Sequence, residues 1–159
     1  METTTYLCHI PFDTLLMMSD GKSFKKIQDI KHDEEIMTFN PETFKYNKPV
    51  NISNKFKKMS GKLYQVEDSS GLQIQITDEQ LILAEWKLDV PFLCLSDKIN
   101  QGNVIYTFCK ERETIVVSVI KKIYQVENKM VCYFTCNNNT FITPSLVISN
   151  GEPEIYSVH

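Results

Sequence analysis

Over most of its length this chain alternates apolar and polar residues with a period of two, as in Leu72-Gln73-Ile74-Gln75-Ile76-Thr77 and Val116-Val117-Ser118-Val119-Ile120. Successive side chains of a strand point to opposite faces, whereas a helix repeats every 3.6 residues, so such segments bury one face only when extended. Further strand candidates are residues 12–18, 35–39, 49–52, 62–66, 80–83, 104–108, 130–136 and 145–149, each bounded by Gly, Asn, Asp or Pro. An all-β domain follows. One segment breaks the pattern. Phe24, Ile27 and Ile30 recur every three residues after Ser19-Asp20-Gly21, which predicts one short helix on the surface of the sheet. Leu63-Tyr64-Gln65-Val66-Glu67 and Ile123-Tyr124-Gln125-Val126-Glu127 resemble each other, as in a fold with two pseudo-symmetric halves.

The chain of 159 residues suits one domain, and 42% apolar with 11% aromatic residues is enough for a sizeable core. Net charge is −3 and the lysines are scattered among acids, so no basic stripe tracks a phosphate backbone and nucleic-acid binding is disfavoured. No segment approaches a membrane-spanning run, and the first residues lack the charged start of a secretory signal. Five cysteines, Cys8, Cys94, Cys109, Cys132 and Cys136, form an odd set without a CxxC. With only three histidines they give no zinc-ligand spacing. A reducing, intracellular (cytoplasmic) setting is expected. No cofactor is called for, the chain reads as a monomer, and a protein partner stays open.

Three ordered blocks carry a family resemblance. The first runs from Cys8 through Thr14-Leu15-Leu16, Asp20-Gly21 and Ile27-Gln28-Asp29-Ile30-Lys31 to Asp33-Glu34-Glu35-Ile36-Met37-Thr38-Phe39-Asn40. The second is Gly71-Leu72-Gln73-Ile74-Gln75-Ile76-Thr77-Asp78-Glu79-Gln80, and the third joins Val131-Cys132-Tyr133-Phe134 to Asn139-Thr140-Phe141-Ile142-Thr143-Pro144-Ser145-Leu146-Val147-Ile148-Ser149-Asn150. Together they resemble the Hint family of inteins and hedgehog C-terminal autoprocessing domains. That family has a leading Cys, a DG turn, a Thr-x-x-His block and a His-Asn end. Here Asp33 stands for a family Gly, Gln80 for the His of Thr-x-x-His, and Ser149 for the penultimate His. Cys132 falls where the family places an Asp or Cys. The resemblance implies a horseshoe-shaped β fold and a division into an extein-like segment 1–7, a Hint-like domain 8–150 and a tail 151–159. A standalone chain of this kind fits a viral or mobile-element origin.

By that resemblance Cys8 would attack the Leu7 carbonyl and convert the peptide bond to a thioester. A thiol needs deprotonation and the leaving nitrogen needs a proton. Thr77 is kept, but Gln80 can only donate a hydrogen bond and is no general acid near neutral pH. Losing such a group costs about two to four decades in rate. Cys132 would compensate in part by exchanging a proton with Cys8. His9 is the other titratable residue nearby, but it should face away from Cys8, because neighbours on a strand point to opposite faces. At the other end Asn150 would close a succinimide, with the Ser149 hydroxyl a weaker activator than the missing His. Gly151 offers no acceptor for a transferred acyl group, so no splicing is expected, and with nine residues after Asn150 no sterol-recognition region for hedgehog-type transfer is expected either. The chain would be at most a single-turnover, self-cleaving enzyme.

Plainer roles compete with each of these. Cys8, Cys94, Cys109, Cys132 and Cys136 are the kind of thiol that fills cores. Thr77 and Trp86 suit simple strand packing. Asn150-Gly151 is a two-residue hairpin signal between two apolar runs, and Asn-Gly deamidates slowly without any design. A catalytically silent Hint-like fold serving as a protein-binding module is therefore the alternative, and an unrelated small β-barrel is the third reading.

Overall fold

A computed structural model describes residues 8–87, 90–135 and 140–150, with side chains given for all of these except 54, 86, 87, 90 and 135. Segment 1–7, tail 151–159 with its Asn150-Gly151 hairpin, Cys136 and the Trp86 side chain lie outside what is described. The first strands are β1 (Cys8–Pro11), β2 (Leu15–Met17), β3 (Phe24–Lys26), β4 (Glu35–Asn40), β5 (Lys45–Asn51), β6 (Ser53–Met59), β7 (Leu63–Asp68) and β8 (Gln73–Thr77). They continue as β9 (Leu81–Lys87), β10 (Val90–Leu95), β11 (Val104–Cys109), β12 (Thr114–Val126), β13 (Met130–Thr135), β14 (Thr140–Ile142) and β15 (Val147–Ser149). The chain is thus all-β, and its sheets are open.

The predicted short helix is a single 3-10 turn, Ile27–Asp29, following strand β3. Residues three apart eclipse in such a turn, and Ile27 and Ile30 both point into the core. The spacing of three therefore reports a 3-10 turn and not an α-helix. A second 3-10 turn, Ser96–Lys98, follows β10. Among the described residues no helix is long and apolar enough to cross a membrane.

The long sheet runs β5-β4-β14-β15-β9-β11-β12-β7-β8, with β10 paired to β9. A separate three-stranded sheet, β1-β13-β6, and the hairpin β2-β3 complete the fold. Asp20 builds the DG turn of that hairpin. One of its carboxylate oxygens accepts the Lys22 and Ser23 backbone N–H groups at 2.9 and 2.8 Å, and Gly21 supplies the positive φ of 70°.

The two similar pentapeptides lie side by side. Strands β7 and β12 pair antiparallel with Leu63 opposite Val126, Tyr64 opposite Gln125, Gln65 opposite Tyr124 and Val66 opposite Ile123. The first four positions of one copy meet the first four of the other in reverse order, so a local two-fold axis passes between them. One core cluster joins both sheets. Cys8, Ile10, Cys132 and Phe134 of the small sheet pack with Ile82, Phe141 and Ile148 of the long one. The Phe134 and Phe141 rings meet at 6.0 Å between centroids, and both are fully buried. Truncating either to Ala costs about 3–5 kcal/mol.

Candidate functional site

The site forms where the start of β1 meets the turn between β8 and β9. That turn is closed by the Gln80 backbone N–H donating to the Thr77 carbonyl at 3.2 Å. Its outer side is pinned by the second 3-10 turn. Ser96 Oγ donates to the Thr77 carbonyl, and the Ser96 and Asp97 backbone N–H groups donate to the Gln80 and Asp78 carbonyls at 2.9 and 3.2 Å.

Gln80, fully buried, occupies the centre. Its Oε1 accepts the His9 backbone N–H at 3.1 Å. Its Nε2 lies 2.8 Å from the Leu81 carbonyl, 2.9 Å from the Ser149 carbonyl and 3.9 Å from Cys8 Sγ. Register explains the reach to Ser149, because β15 pairs β9 with Ser149 opposite Leu81, the residue after Gln80. The thiol of Cys8 and the backbone leading into Asn150 are thereby held by one amide. Every polar atom of that amide is engaged, as burial without partners would cost about 1–3 kcal/mol for each group.

His9 takes the expected face of its strand and still meets the turn. Its side chain does point to the face of β1 opposite Cys8, as alternation requires. Yet the turn wraps the edge of the strand and touches both faces, so His9 Nδ1 is hydrogen-bonded to Thr77 Oγ1. The ring packs on Tyr133, 5.0 Å between centroids, and Tyr133 stacks on Phe56 at 5.3 Å. These three residues sit opposite one another across β1, β13 and β6. Burial lowers the imidazole from 6.5 to about 4, with the Lys58 ammonium pushing the same way. The ring is neutral at pH 7.

Cys132 shares a face with Cys8, offset diagonally, because Cys8 lies opposite Phe134 and Ile10 opposite Cys132. The Cys132 thiol is directed to the Tyr133 carbonyl at 3.9 Å and borders a surface cleft with Phe12, Gln28 and Lys55. Burial raises it to about 11, against the pull of Lys55, so it keeps its proton. At the far end Thr140 lies opposite Ser149, and the Thr140 hydroxyl donates to Ser149 Oγ at 3.4 Å. Asn150 is buried behind it. Thr143 shapes the approach to β15, its hydroxyl donating to the Leu146 carbonyl at 2.6 Å and accepting the Ser145 N–H at 3.0 Å. The structure thus brings Gln80 into contact with both Cys8 and Ser149, and Thr77 meets the same strand through His9. Cys132 lies beside this cluster, with its thiol turned elsewhere. Sequence reasoning set His9 aside and did not register Ser96 or Thr140. The available signal for His9 was its place one residue after the leading Cys, and for Thr140 only its cross-strand register. Among the described residues no three His, Cys, Asp or Glu side chains gather as a metal site.

No protein-family profile matches this chain, and no curated protein matches it. Solved structures do. A Ssp DnaB mini-intein variant superposes with a TM-score of 0.73 at 18% identity, covering 97% of this chain and 100% of its own. A DnaB intein from Synechocystis sp. PCC 6803 gives 0.73 at 19% identity over 91% and 99%. An intein from a hyperthermophile gives 0.73 at 16% identity over 90% and 99%. The match spans almost the whole of each chain, so it concerns the complete fold and not a shared hairpin. This chain has the Hint fold of inteins.

Proposed function

We propose that the chain is an impaired Hint-type autoprocessing domain that cleaves itself slowly at Leu7-Cys8 by an N–S acyl shift, or after Asn150 through a succinimide, without splicing. The observation that supports this most is the Gln80 amide, 3.9 Å from the Cys8 sulfur and 2.9 Å from the Ser149 carbonyl. Cys8 is the nucleophile, Thr77 and Gln80 orient the junction, Cys132 is a protonated thiol on the same sheet face, and Ser149 and Asn150 form the second scissile end. Impairment follows from Gln80 and Ser149, neither of which ionises near neutral pH. Gly151 lacks the thiol or hydroxyl that splicing needs.

A second reading is favoured by the same amide. Gln80 is saturated by structural partners, as suits a clamp in a silent fold that serves as a protein-binding module. Mass spectrometry of the purified chain with dithiothreitol or hydroxylamine separates the two. Slow, thiol-dependent loss of residues 1–7 from the wild type and none from Cys8→Ala is the expected result. Unchanged mass at both ends in every sample leaves the silent module.

A further inference from the structure

We propose that the outer edge of β8, with two clefts that open beside it, binds an extended, uncharged peptide segment as an added strand, whether or not the chain cleaves itself. Strand β8 ends the long sheet. It pairs with β7 in one unbroken register, from Leu63 opposite Thr77 to Glu67 opposite Gln73. Backbone bonds extend that ladder at both ends, the Asp78 N–H to the Lys62 carbonyl and the Asp68 N–H to the Leu72 carbonyl, each at 3.0 Å. Bonded and unbonded pairs alternate in an antiparallel ladder, so Ile74 and Ile76 bond to β7. Gln73, Gln75 and Thr77 turn their N–H and C=O groups the other way. At Thr77 that side is taken, its carbonyl accepting the Gln80 N–H and the Ser96 hydroxyl. At Gln73 and Gln75 no strand among the described residues meets it. Strands β5 and β6, which also end their sheets, carry lysines, and β5 has Pro49 as well; both residue types discourage further pairing. Strand β8, Gln-Ile-Gln-Ile-Thr, carries no charge.

The smaller cleft, about 380 Å³, is lined by Gln73, Ile74 and Gln75 in succession. Neighbours on a strand point to opposite faces, so a cleft that touches all three runs along the strand's edge. Leu15, Leu72 and Pro144 line both this cleft and a larger one of about 760 Å³, and so join them. Most buried serines and threonines use their hydroxyls within the protein, as Thr38, Ser60 and Thr143 do. The hydroxyls of Thr14, Ser145 and Thr107 meet no partner among the described residues, although each residue is more than nine-tenths buried. No enclosed side-chain oxygen there is left unpaired, so these oxygens open on the clefts, Thr14 and Ser145 on the smaller and Thr107 on the larger. The charges around the groove balance, Lys22, Lys110 and Lys129 against Asp13, Glu111 and Glu113. An uncharged segment therefore complements it, whereas an acidic or basic one meets like charge. Peptide N–H and C=O groups answer both the strand edge and the hydroxyls, and Phe24, Phe108 and Pro144 offer an apolar pocket for one side chain.

The probe is an acetylated and amidated peptide, Ser-Val-Thr-Val-Thr-Ile-Ser, beside the same peptide N-methylated at alternate residues, which blocks strand addition. Each is titrated into the full chain to about 1 mM and followed by amide NMR and calorimetry. The unmethylated peptide should bind, shift the amide signals of Gln73 and Gln75 and slow their hydrogen exchange; the methylated ones should not bind. Gln75→Pro removes only an outward N–H, which the β7 ladder does not use, and should weaken binding by about tenfold. Gln75→Lys, which charges the edge, should do the same and keeps the test valid if the proline variant misfolds. Thr107→Val should weaken it by a few-fold. No binding, equal binding of the methylated peptides, or shifts confined to residues away from β8 overturns the proposal. So does a dimer of the free chain that Gln75→Lys dissolves, which would give the edge to a second copy.

Discussion

The two ends of the site are built differently. Around Cys8 the polar side chains are Gln80, Thr77 and His9, an amide, a hydroxyl and an imidazole wrapped about one strand end. Around Ser149 the cross-strand side-chain partner is Thr140, a hydroxyl facing a hydroxyl at 3.4 Å. The described side chains at the N-terminal end include an imidazole, that of His9, bonded to Thr77. The described partners at the C-terminal end retain only neutral donors. The residues that stand for the two family histidines, Gln80 and Ser149, thus sit in different surroundings, and restoring a histidine at each end should change cleavage there by a different factor.

The largest effect that tests this contrast is at Gln80. Replacement by His should raise thiol-dependent release of residues 1–7 by about two to four decades, read by mass spectrometry over time. A rise of less than tenfold would mean that the missing imidazole is not what limits the reaction. Next comes the pH dependence of stability. His9 is held at about 4 in the fold against 6.5 in an open chain, so the unfolded state binds the extra proton between those values. Its contribution is fully present above about pH 6.5 and is lost as the pH falls through 6.5 towards 4. The whole shift is about 3 kcal/mol. Urea midpoints at pH 7 and pH 4.5 should differ more for the wild type than for His9→Phe, which keeps the ring on Tyr133.

Ser149→His probes the other end and should raise cleavage after Asn150 about a hundredfold, leaving release of residues 1–7 unchanged. Equal gains at both ends would show that the halves are coupled through Gln80. The smallest effect is Thr77→Val, which leaves a buried imidazole nitrogen unpaired and should lower stability by about 1–3 kcal/mol in denaturant titration.

Much of the fold was legible because alternation records which face is buried, and β8, β4 and β11 sit close to where the pattern places them. What escaped has physical reasons. Strand β6, Ser-Asn-Lys-Phe-Lys-Lys-Met, has no apolar alternation because it forms the edge of its sheet, where lysines discourage further pairing. Strand β10 carries Pro91, and the register with β9 shifts there, between Val90 and Pro91. Proline is tolerated at such irregularities, so it did not mark a strand end. In the site, Cys8, Thr77, Gln80, Ser149 and Asn150 could be named from block order. The place of His9 could not, since alternation tells which face a side chain takes and nothing of a loop that reaches around the strand to meet it.

The paired pentapeptides carry a further consequence. Because each copy is complementary to its own reverse, the register that joins β7 to β12 is equally available between β7 of one molecule and β7 of another. During refolding at high concentration the intramolecular partner wins only through proximity along the chain. Dilution should therefore raise the yield of chains with β7 paired to their own β12 at the expense of strand-exchanged pairs.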